Sequence, residues 1–121
     1  MREITSLIDP IVVLANGEFP KHDIPLHELD IAGSIICCDG AVESLIDYGK
    51  RPQAIVGDFD SIPQNLKEDL ESILVHAPNQ SENDLRKSLK WVKEHGGKSI
   101  TILGASGKRE DHWLGNIFSI L

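Results

Sequence analysis

The stretch Ala54-Ile55-Val56-Gly57-Asp58-Phe59-Asp60-Ser61 decides the fold, because an apolar run ends there in two carboxylates one residue apart. Prolines flank the stretch, so the pattern predicts a short buried strand over 54–57 that leads toward a helix. Asp58 and Asp60 would then lie where the strand opens into a loop. Two like charges this close favour a bound cation, and Mg²⁺ prefers such oxygen ligands. The alternative is that Asp60 or Ser61 only caps the next helix.

Composition limits the chain to one ordinary domain. Its 121 residues, 40% hydrophobic and 26% charged, suffice for one sizeable core. The formal net charge of −7 argues against a nucleic-acid surface, which is normally basic. No apolar run is long enough to cross a bilayer, and the N-terminal residues lack a signal-peptide core. We therefore expect a cytoplasmic protein with no nucleic-acid or membrane partner.

Apolar runs alternate with amphipathic segments along the chain. The runs predict five strands, over Ile11–Ala15, Ser34–Cys38, Ala54–Gly57, Ile73–His76 and Ser99–Leu103. Stripes of apolar residues at helical spacing predict helices around 42–46, 66–70 and 85–92, and 25–31 is a further short helix candidate. Strands that alternate with helices predict an α/β fold, a three-layer Rossmann-like domain with a mainly parallel sheet and helices on both faces.

Capping signals predict where two of the helices begin. Ser61 with Gln64, and Ser81 with Asp84, match the capping-box pattern. The final segment, Glu110–Leu121, carries apolar residues at helical spacing and predicts a last helix. Because that apolar face needs more protein to cover it, we expect the chain to be the N-terminal part of a longer polypeptide.

Acidic residues follow almost every predicted strand. They are Asp39, Asp58, Asp60, Asp84 and Asp111. Each could act only as a helix cap or as an acidic residue in a first helical turn. In an open parallel sheet, however, ligands bind outside the carboxyl ends of the strands, where all five would meet. Their coincidence favours one shared site for a metal ion and phosphates.

The loop after the fifth strand supplies glycines and positive charge. It runs from Gly104 to His112 with the sequence GASGKREDH. Its glycines let backbone N–H groups approach an anion, and Lys108 and Arg109 would lie beside the start of the predicted last helix. The loop is not a Walker A motif, whose glycines are further apart. Arg109 could bind phosphate bidentately, or these basic residues could simply be exposed. Lys87 could likewise reach phosphate or pair with Asp84 on the helix surface.

Five motifs together resemble the thiamin pyrophosphokinase family. They are ANG at 15–17, CDGA at 38–41, VGDFDSI at 56–62, NQSENDLRKSL at 79–89 and GASGKREDHWLGNI at 104–117. The resemblance spans 15–117 in order, and each motif follows a predicted strand. It implies an ATP- and Mg-binding catalytic domain over 1–121, transfer of pyrophosphate from ATP to the hydroxyl of thiamin, and AMP as the second product.

The resemblance also implies roles for individual residues. Asp58, Asp60 and Asp84 would hold Mg²⁺, with Asp39 beside them near the phosphates or the attacking hydroxyl. The residues that would bind the nucleotide phosphates or order the site are Gln80, Lys87, Gly104, Gly107, Lys108, Arg109, Asp111 and Asn116, the last from the final helix. The resemblance further implies a C-terminal β-sandwich domain, which is absent from this chain. It also implies a homodimer whose active site lies between subunits.

Three other functions remain open on the sequence. In a haloacid-dehalogenase-type phosphatase, Asp58 would become a covalent phospho-aspartate, but its carboxylate pair normally follows the first strand, and two predicted strands precede it here. A related pyrophosphokinase could act on a pterin-type alcohol at the same site. A non-catalytic domain could bind Mg-nucleotide alone; a receiver domain, one such type, would need acidic residues where Asn16 and Gly17 stand.

Overall fold

Six strands form one sheet in the computed structural model, which describes residues 7–59, 62–76, 84–104 and 115–118, with the backbone only for Asp84 and 115–118. The strands are β1 (Ile11–Leu14), β2 (Ser34–Cys38), β3 (Ala54–Gly57), β4 (Leu74–His76), β5 (Ser99–Leu103) and β6 (Gly115–Phe118). Their order across the sheet is β4-β3-β2-β1-β5-β6. The first five are mutually parallel, and β6 is antiparallel to β5.

Four α-helices connect the strands in the described part of the chain. They are α1 (Asp23–Ile31), α2 (Ala41–Tyr48), α3 (Gln64–Asp69) and α4 (Asp84–Glu94), and a 3₁₀ turn at Glu71–Ile73 follows α3. None of these helices has the length and hydrophobicity needed to cross a bilayer. The alternation of strands and helices confirms the predicted α/β class.

Helices cover both faces of the sheet, as predicted. On one face, Leu29 of α1 and Leu45 of α2 pack with Val12, Cys37 and Ile55 of the strands. On the other face, Val92 of α4 packs against the alternate strand residues, which include Val13, Ile36, Val56 and Ile102. Every residue of β1, β2 and β3 is buried, which explains why their sequences are continuous apolar runs.

The strand predictions were correct to within one residue. β2, β3 and β5 have the predicted bounds, whereas β1 ends at Leu14 instead of Ala15. β4 begins at Leu74, because Ile73 belongs to the preceding 3₁₀ turn. The short first helix begins at Asp23, two residues before the predicted start.

The predicted start of α3 was wrong. The capping-box pattern placed the N-cap at Ser61, but the helix begins at Gln64 and its N-cap is Pro63. The chain leaves β3 through a left-handed residue, Phe59, and then buries Ile62 in the core before the helix can begin. Ser61 lies outside the described residues, and so does the start of the Ser81 pattern.

The predicted last helix over Glu110–Leu121 was also wrong in its described part, which is the strand β6. Ile100 pairs with Ile117 across the two strands, and Ser99 pairs with Phe118. Without β6, the backbone N–H and C=O groups on this side of β5 would lack strand partners. Ile117 and Phe118 suit a strand, and periodicity alone cannot separate a short apolar strand from part of a helix.

Candidate functional site

The connections between strands reverse direction between β1 and β5. From β1 the chain moves outward through β2, β3 and β4, and α4 then carries it across the opposite face to β5, on the other side of β1. In open α/β sheets, ligands bind at such a switch point, outside the carboxyl ends of the strands. The fold therefore indicates where a site should lie before any side chain is considered.

Two acidic residues lie at adjacent strand ends on this edge of the sheet. Asp39 follows β2 and Asp58 follows β3, and the backbone N–H of Asp39 donates to the carbonyl of Val56 at 2.9 Å. Because neighbouring strands lie about 4.8 Å apart, the two acidic residues are close neighbours across one strand gap. Asp39 is only 4% exposed and Asp58 is half-buried. Two acidic residues at adjacent strand ends, one of them buried, would be stabilised by a nearby cation.

Both strand ends use backbone conformations that side chains rarely adopt. Asp39 has a φ of 46°, and Phe59, directly after Asp58, has a φ of 69°. Asp tolerates the left-handed region, but a bulky residue there costs on the order of 1–2 kcal/mol. The buried ring of Phe59 packs in the core and lies 5.7 Å from the ring of His76. This packing offsets the strain and fixes the direction in which Asp58 leaves the strand.

The capping alternative does not account for these acidic residues. The N-cap of α2 is Gly40, so Asp39 is not the N-cap residue, and no side chain at that position caps the helix. The N-cap of α3 is Pro63, which excludes both Asp60 and Ser61 from that position. Since neither Asp39 nor Asp60 is a helix N-cap, ligand binding is the better explanation of why acidic residues follow these strands.

Gly104 directly follows β5 and lies at the switch point. It has a φ of 71°, and a Cβ atom there would lie 3.0 Å from the carbonyl oxygen of Ala15 and 3.3 Å from that of Glu18. The loop after β5 thus packs directly against the loop after β1, and the N–H of Ala15 donates to the carbonyl of Leu103 at 2.8 Å. Only glycine combines this conformation with such close backbone contact.

The loop after β1 contributes residues to which the sequence motifs assigned no role. Asn16 and Gly17 are exposed and lie next to the Gly104 turn, at the switch point. Their position in the sequence could have indicated a role, because phosphate-binding turns often follow the first strand of an α/β sheet. This part of the site was therefore missed at the level of individual residues.

α4 brings Lys87 to the same side of the molecule. The helix packs over β1, β2 and β3, and its first residue is Asp84. Lys87 is 9% exposed. It therefore does not lie on an exposed helix surface, as one of the sequence alternatives required. Lysine is rarely so well covered unless its charge is matched.

Several predicted site residues lie outside the described part of the chain. They are Asp60, Gln80, Gly107, Lys108, Arg109 and Asp111. Asn116 is described by its backbone, and it pairs with Thr101 in β6 rather than extending from a helix. Within the described residues, no three His, Cys, Asp or Glu side chains gather as a metal site. The described carboxylates are nevertheless the hard oxygen donors that Mg²⁺ requires, so the donor set fits this ion.

Comparison with known proteins identifies relatives across most of the chain. Residues 27–121 match the family model described as thiamin pyrophosphokinase, catalytic domain. The thiamine pyrophosphokinase of Bacillus subtilis (strain 168) is 33% identical over 117 residues, which cover 88% of this chain and 52% of that protein. A thiamin pyrophosphokinase of Caenorhabditis elegans is 30% identical over 95 residues, covering 71% of this chain and 39% of that protein.

A solved structure shares both the fold and part of the sequence. The crystal structure of a probable thiamine pyrophosphokinase from Staphylococcus saprophyticus superposes with a TM-score of 0.61 and 30% sequence identity. The match covers 84% of this chain and 52% of that one. The chain thus spans about half the length, or less, of these relatives.

Proposed function

Because the chain belongs to the thiamin pyrophosphokinase catalytic-domain family, we propose that it provides the nucleotide-binding part of an enzyme that makes thiamin diphosphate and AMP from thiamin and ATP. The observation that carries the proposal is the placement of Asp39 and Asp58 at adjacent strand ends, on the same edge of the sheet as the Gly104 turn. Since the chain spans about half the length of its relatives, the activity is proposed for the full-length protein.

The acidic residues are the proposed metal ligands. Asp58, Asp60 and Asp84 would hold Mg²⁺: Asp58 directly follows β3 at the carboxyl edge, and Asp84 is the first residue of α4. When bound, the ion supplies positive charge that orients the phosphates and offsets their negative charge. Asp39, which is more buried than Asp58, would order the site from the neighbouring strand.

The phosphates would be held mainly by backbone and cationic groups. The turn at Gly104 brings backbone close to the switch point, and Lys87 would add a positive charge from α4. We also propose that Gln80, Gly107, Lys108, Arg109, Asp111 and Asn116 contact or order the phosphates. Arg109 is suited to the developing charge on the leaving AMP, because a guanidinium binds two phosphate oxygens at once.

The reaction needs alignment more than covalent help from the protein. The hydroxyl oxygen of thiamin would attack the β-phosphorus of ATP and form a new O–P bond. The bond between the β-phosphorus and the oxygen bridging to the α-phosphate would break, and AMP would leave with that oxygen. The hydroxyl proton would pass to a carboxylate, Asp39 or Asp84. We further propose a cytoplasmic homodimer, with a C-terminal β-sandwich domain that completes the thiamin site between subunits.

The products of ATP turnover test this proposal. Full-length protein is incubated with ATP, Mg²⁺ and thiamin, and the products are identified by mass spectrometry. The proposal expects AMP and thiamin diphosphate in equal amounts. ADP in place of AMP contradicts pyrophosphoryl transfer, and AMP formed only with a pterin alcohol contradicts the substrate. A phosphorylated Asp58 after incubation with a phosphate ester would instead indicate a phosphatase.

A further inference from the structure

A serine lies in the middle of the buried face of α4. The apolar stripe of this helix contains Leu85, Leu89 and Val92, and Ser88 falls within it at 0% exposure. A buried hydroxyl needs a hydrogen-bond partner, because it loses its contacts with water. A serine that only filled space at this position would be better replaced by alanine, which is also the stronger helix former.

One hydrogen-bond partner of Ser88 is the last residue of β2. The Oγ atom of Ser88 lies 3.2 Å from the Sγ atom of Cys38, and either atom can donate the hydrogen. Cys38 is itself buried, with 1% exposure. The contact therefore joins α4 to β2 through side chains that have no access to solvent and cannot exchange this bond for one with bulk water.

Each of the two bonded residues is adjacent in sequence to a residue of the candidate site. Cys38 directly precedes Asp39, and Ser88 directly follows Lys87. Both of these charged residues are buried, at 4% and 9% exposure. The apolar contacts of α4 with the sheet resist separation, but they are not directional and allow the helix to slide. A directional bond at this point fixes the position of α4 along its axis relative to the end of β2.

We propose that Ser88 is a positioning residue, which acts through its hydrogen bond with Cys38 to hold Lys87 in position relative to Asp39 for pyrophosphoryl transfer. This inference rests on the proposed function. It predicts that the bond matters more for turnover than for folding, because Ser88 and Cys38 both fit an apolar environment once their polar groups are removed together.

The test uses five variants of the full-length protein in the AMP-forming assay, with unfolding measured in parallel. Ser88→Ala and Cys38→Ala each remove the bond, and the double variant closes a thermodynamic cycle. Cys38→Ser keeps a hydrogen-bonding group opposite Ser88. Ser34→Ala is the matched control, because Ser34 is buried in the same strand at its other end, where its hydroxyl bonds to backbone atoms of Ile8.

We expect Ser88→Ala and Cys38→Ala each to lower kcat about tenfold, with less than a twofold change in KM for ATP, since the lost alignment matters in the transition state. The double variant should lose no more than either single variant. Cys38→Ser should keep at least half of the wild-type kcat. Ser34→Ala should lower the unfolding midpoint and leave kcat unchanged.

If the wild-type protein forms AMP, a normal kcat for Ser88→Ala would overturn the positioning role. Losses of kcat that multiply in the double variant, or an equal loss of kcat in Ser34→Ala, would also overturn it. A loss in Cys38→Ser as large as in Cys38→Ala also contradicts it, because the hydrogen-bonding group was kept. Wild-type protein that forms no AMP overturns the proposed function itself, and the role of Ser88 with it.

Discussion

The two ends of β2 show different uses of polar groups in one strand. At the amino end, the hydroxyl of Ser34 accepts from the N–H of Ile8 at 2.8 Å and donates to its carbonyl at 3.0 Å. At the carboxyl end, Cys38 bonds instead to the side chain of Ser88, and the next residue, Asp39, has a left-handed backbone. The amino end joins neighbouring segments through their backbone, whereas the carboxyl end holds side chains in fixed positions.

The same contrast extends across the sheet. At the amino edge, the side chain of Asp9 accepts hydrogen bonds from the N–H groups of Lys98 and Ser99, and that of Gln53 accepts one from Ile35 at 2.6 Å. These bonds join segments that are distant in sequence. At the carboxyl edge, carboxylates stand at strand ends without serving as helix N-caps. One edge therefore stabilises the fold, and the other is suited to binding a ligand.

The largest expected effect is the loss of activity in Asp58→Asn. The substitution removes a charge at the carboxyl edge and keeps the shape of the side chain. We expect the rate of Mg²⁺-dependent AMP formation to fall by about 100-fold or more, with a cooperative unfolding transition retained. Asp47→Asn, at an exposed position on α2, is the control and should keep normal turnover. Similar rates for the two variants would reject the assignment of Asp58 as a metal ligand.

Two glycines with positive φ, one at each edge of the sheet, should differ in how much stability an alanine substitution costs. Gly104 has a φ of 71° and close backbone neighbours, whereas Gly49, which ends α2 at the amino edge, has a φ of 104° and no atom of the described residues within 4 Å of the place a Cβ would occupy. Alanine should cost about 1 kcal/mol of stability at Gly49, from backbone strain alone. At Gly104 the contact with the carbonyl of Ala15 should add about 1–2 kcal/mol.

Urea unfolding of Gly49→Ala and Gly104→Ala measures this difference directly. Only Gly104→Ala should also lower the rate of AMP formation, because only its turn lies at the switch point. Equal losses of stability in the two variants would mean that the close approach of the loops after β1 and β5 is not important for the fold.

A smaller effect concerns pH and the buried thiol of Cys37. Burial, with a further contribution from neighbouring Cys38, raises the pKa of the Cys37 thiol far above its ordinary value of 9.0. Above pH 9 the unfolded chain loses this proton while the folded protein keeps it. The unfolded state then binds fewer protons, so stability falls as pH rises, by up to about 1 kcal/mol per pH unit, and is unaffected by this group below pH 9.

Unfolding free energies at pH 8 and pH 10 test this expectation. The wild-type protein should lose more stability between the two values than Cys37→Ala, in which the group is absent. Identical losses would show that Cys37 ionises in the folded protein, and that this part of the core admits water.

The sequence was most informative where burial was complete. β2 and β3 were predicted to the residue, because strands buried on both faces must be continuous apolar runs and those runs end sharply at Asp39 and Asp58. β6 was mistaken for a helix because Ile117 and Phe118 suit either structure in so short a run. What decided between them was the unpaired side of β5, a tertiary feature that no local pattern carries.

The candidate site was predictable in its residue types and less so in its geometry. A carboxylate after almost every predicted strand indicated a site at the carboxyl edge, because parallel strands bring their ends together. The left-handed conformation of Phe59 was not predictable, since a bulky residue disfavours it and the packing of its ring in the core is a tertiary feature. The role of Ser88 was hidden for a similar reason: its partner, Cys38, is 50 residues away in sequence.

The most direct test of the contrast between the two edges compares Asp39→Asn with Asp9→Ala in the full-length protein. Asparagine keeps the left-handed backbone of Asp39 accessible, and alanine at position 9 removes the acceptor for the N–H groups of Lys98 and Ser99. Thiamin diphosphate formation and urea unfolding are measured for both. We predict that Asp39→Asn stays folded and loses turnover, while Asp9→Ala loses stability and keeps turnover. The reverse pattern would contradict the assignment of chemistry to the carboxyl edge.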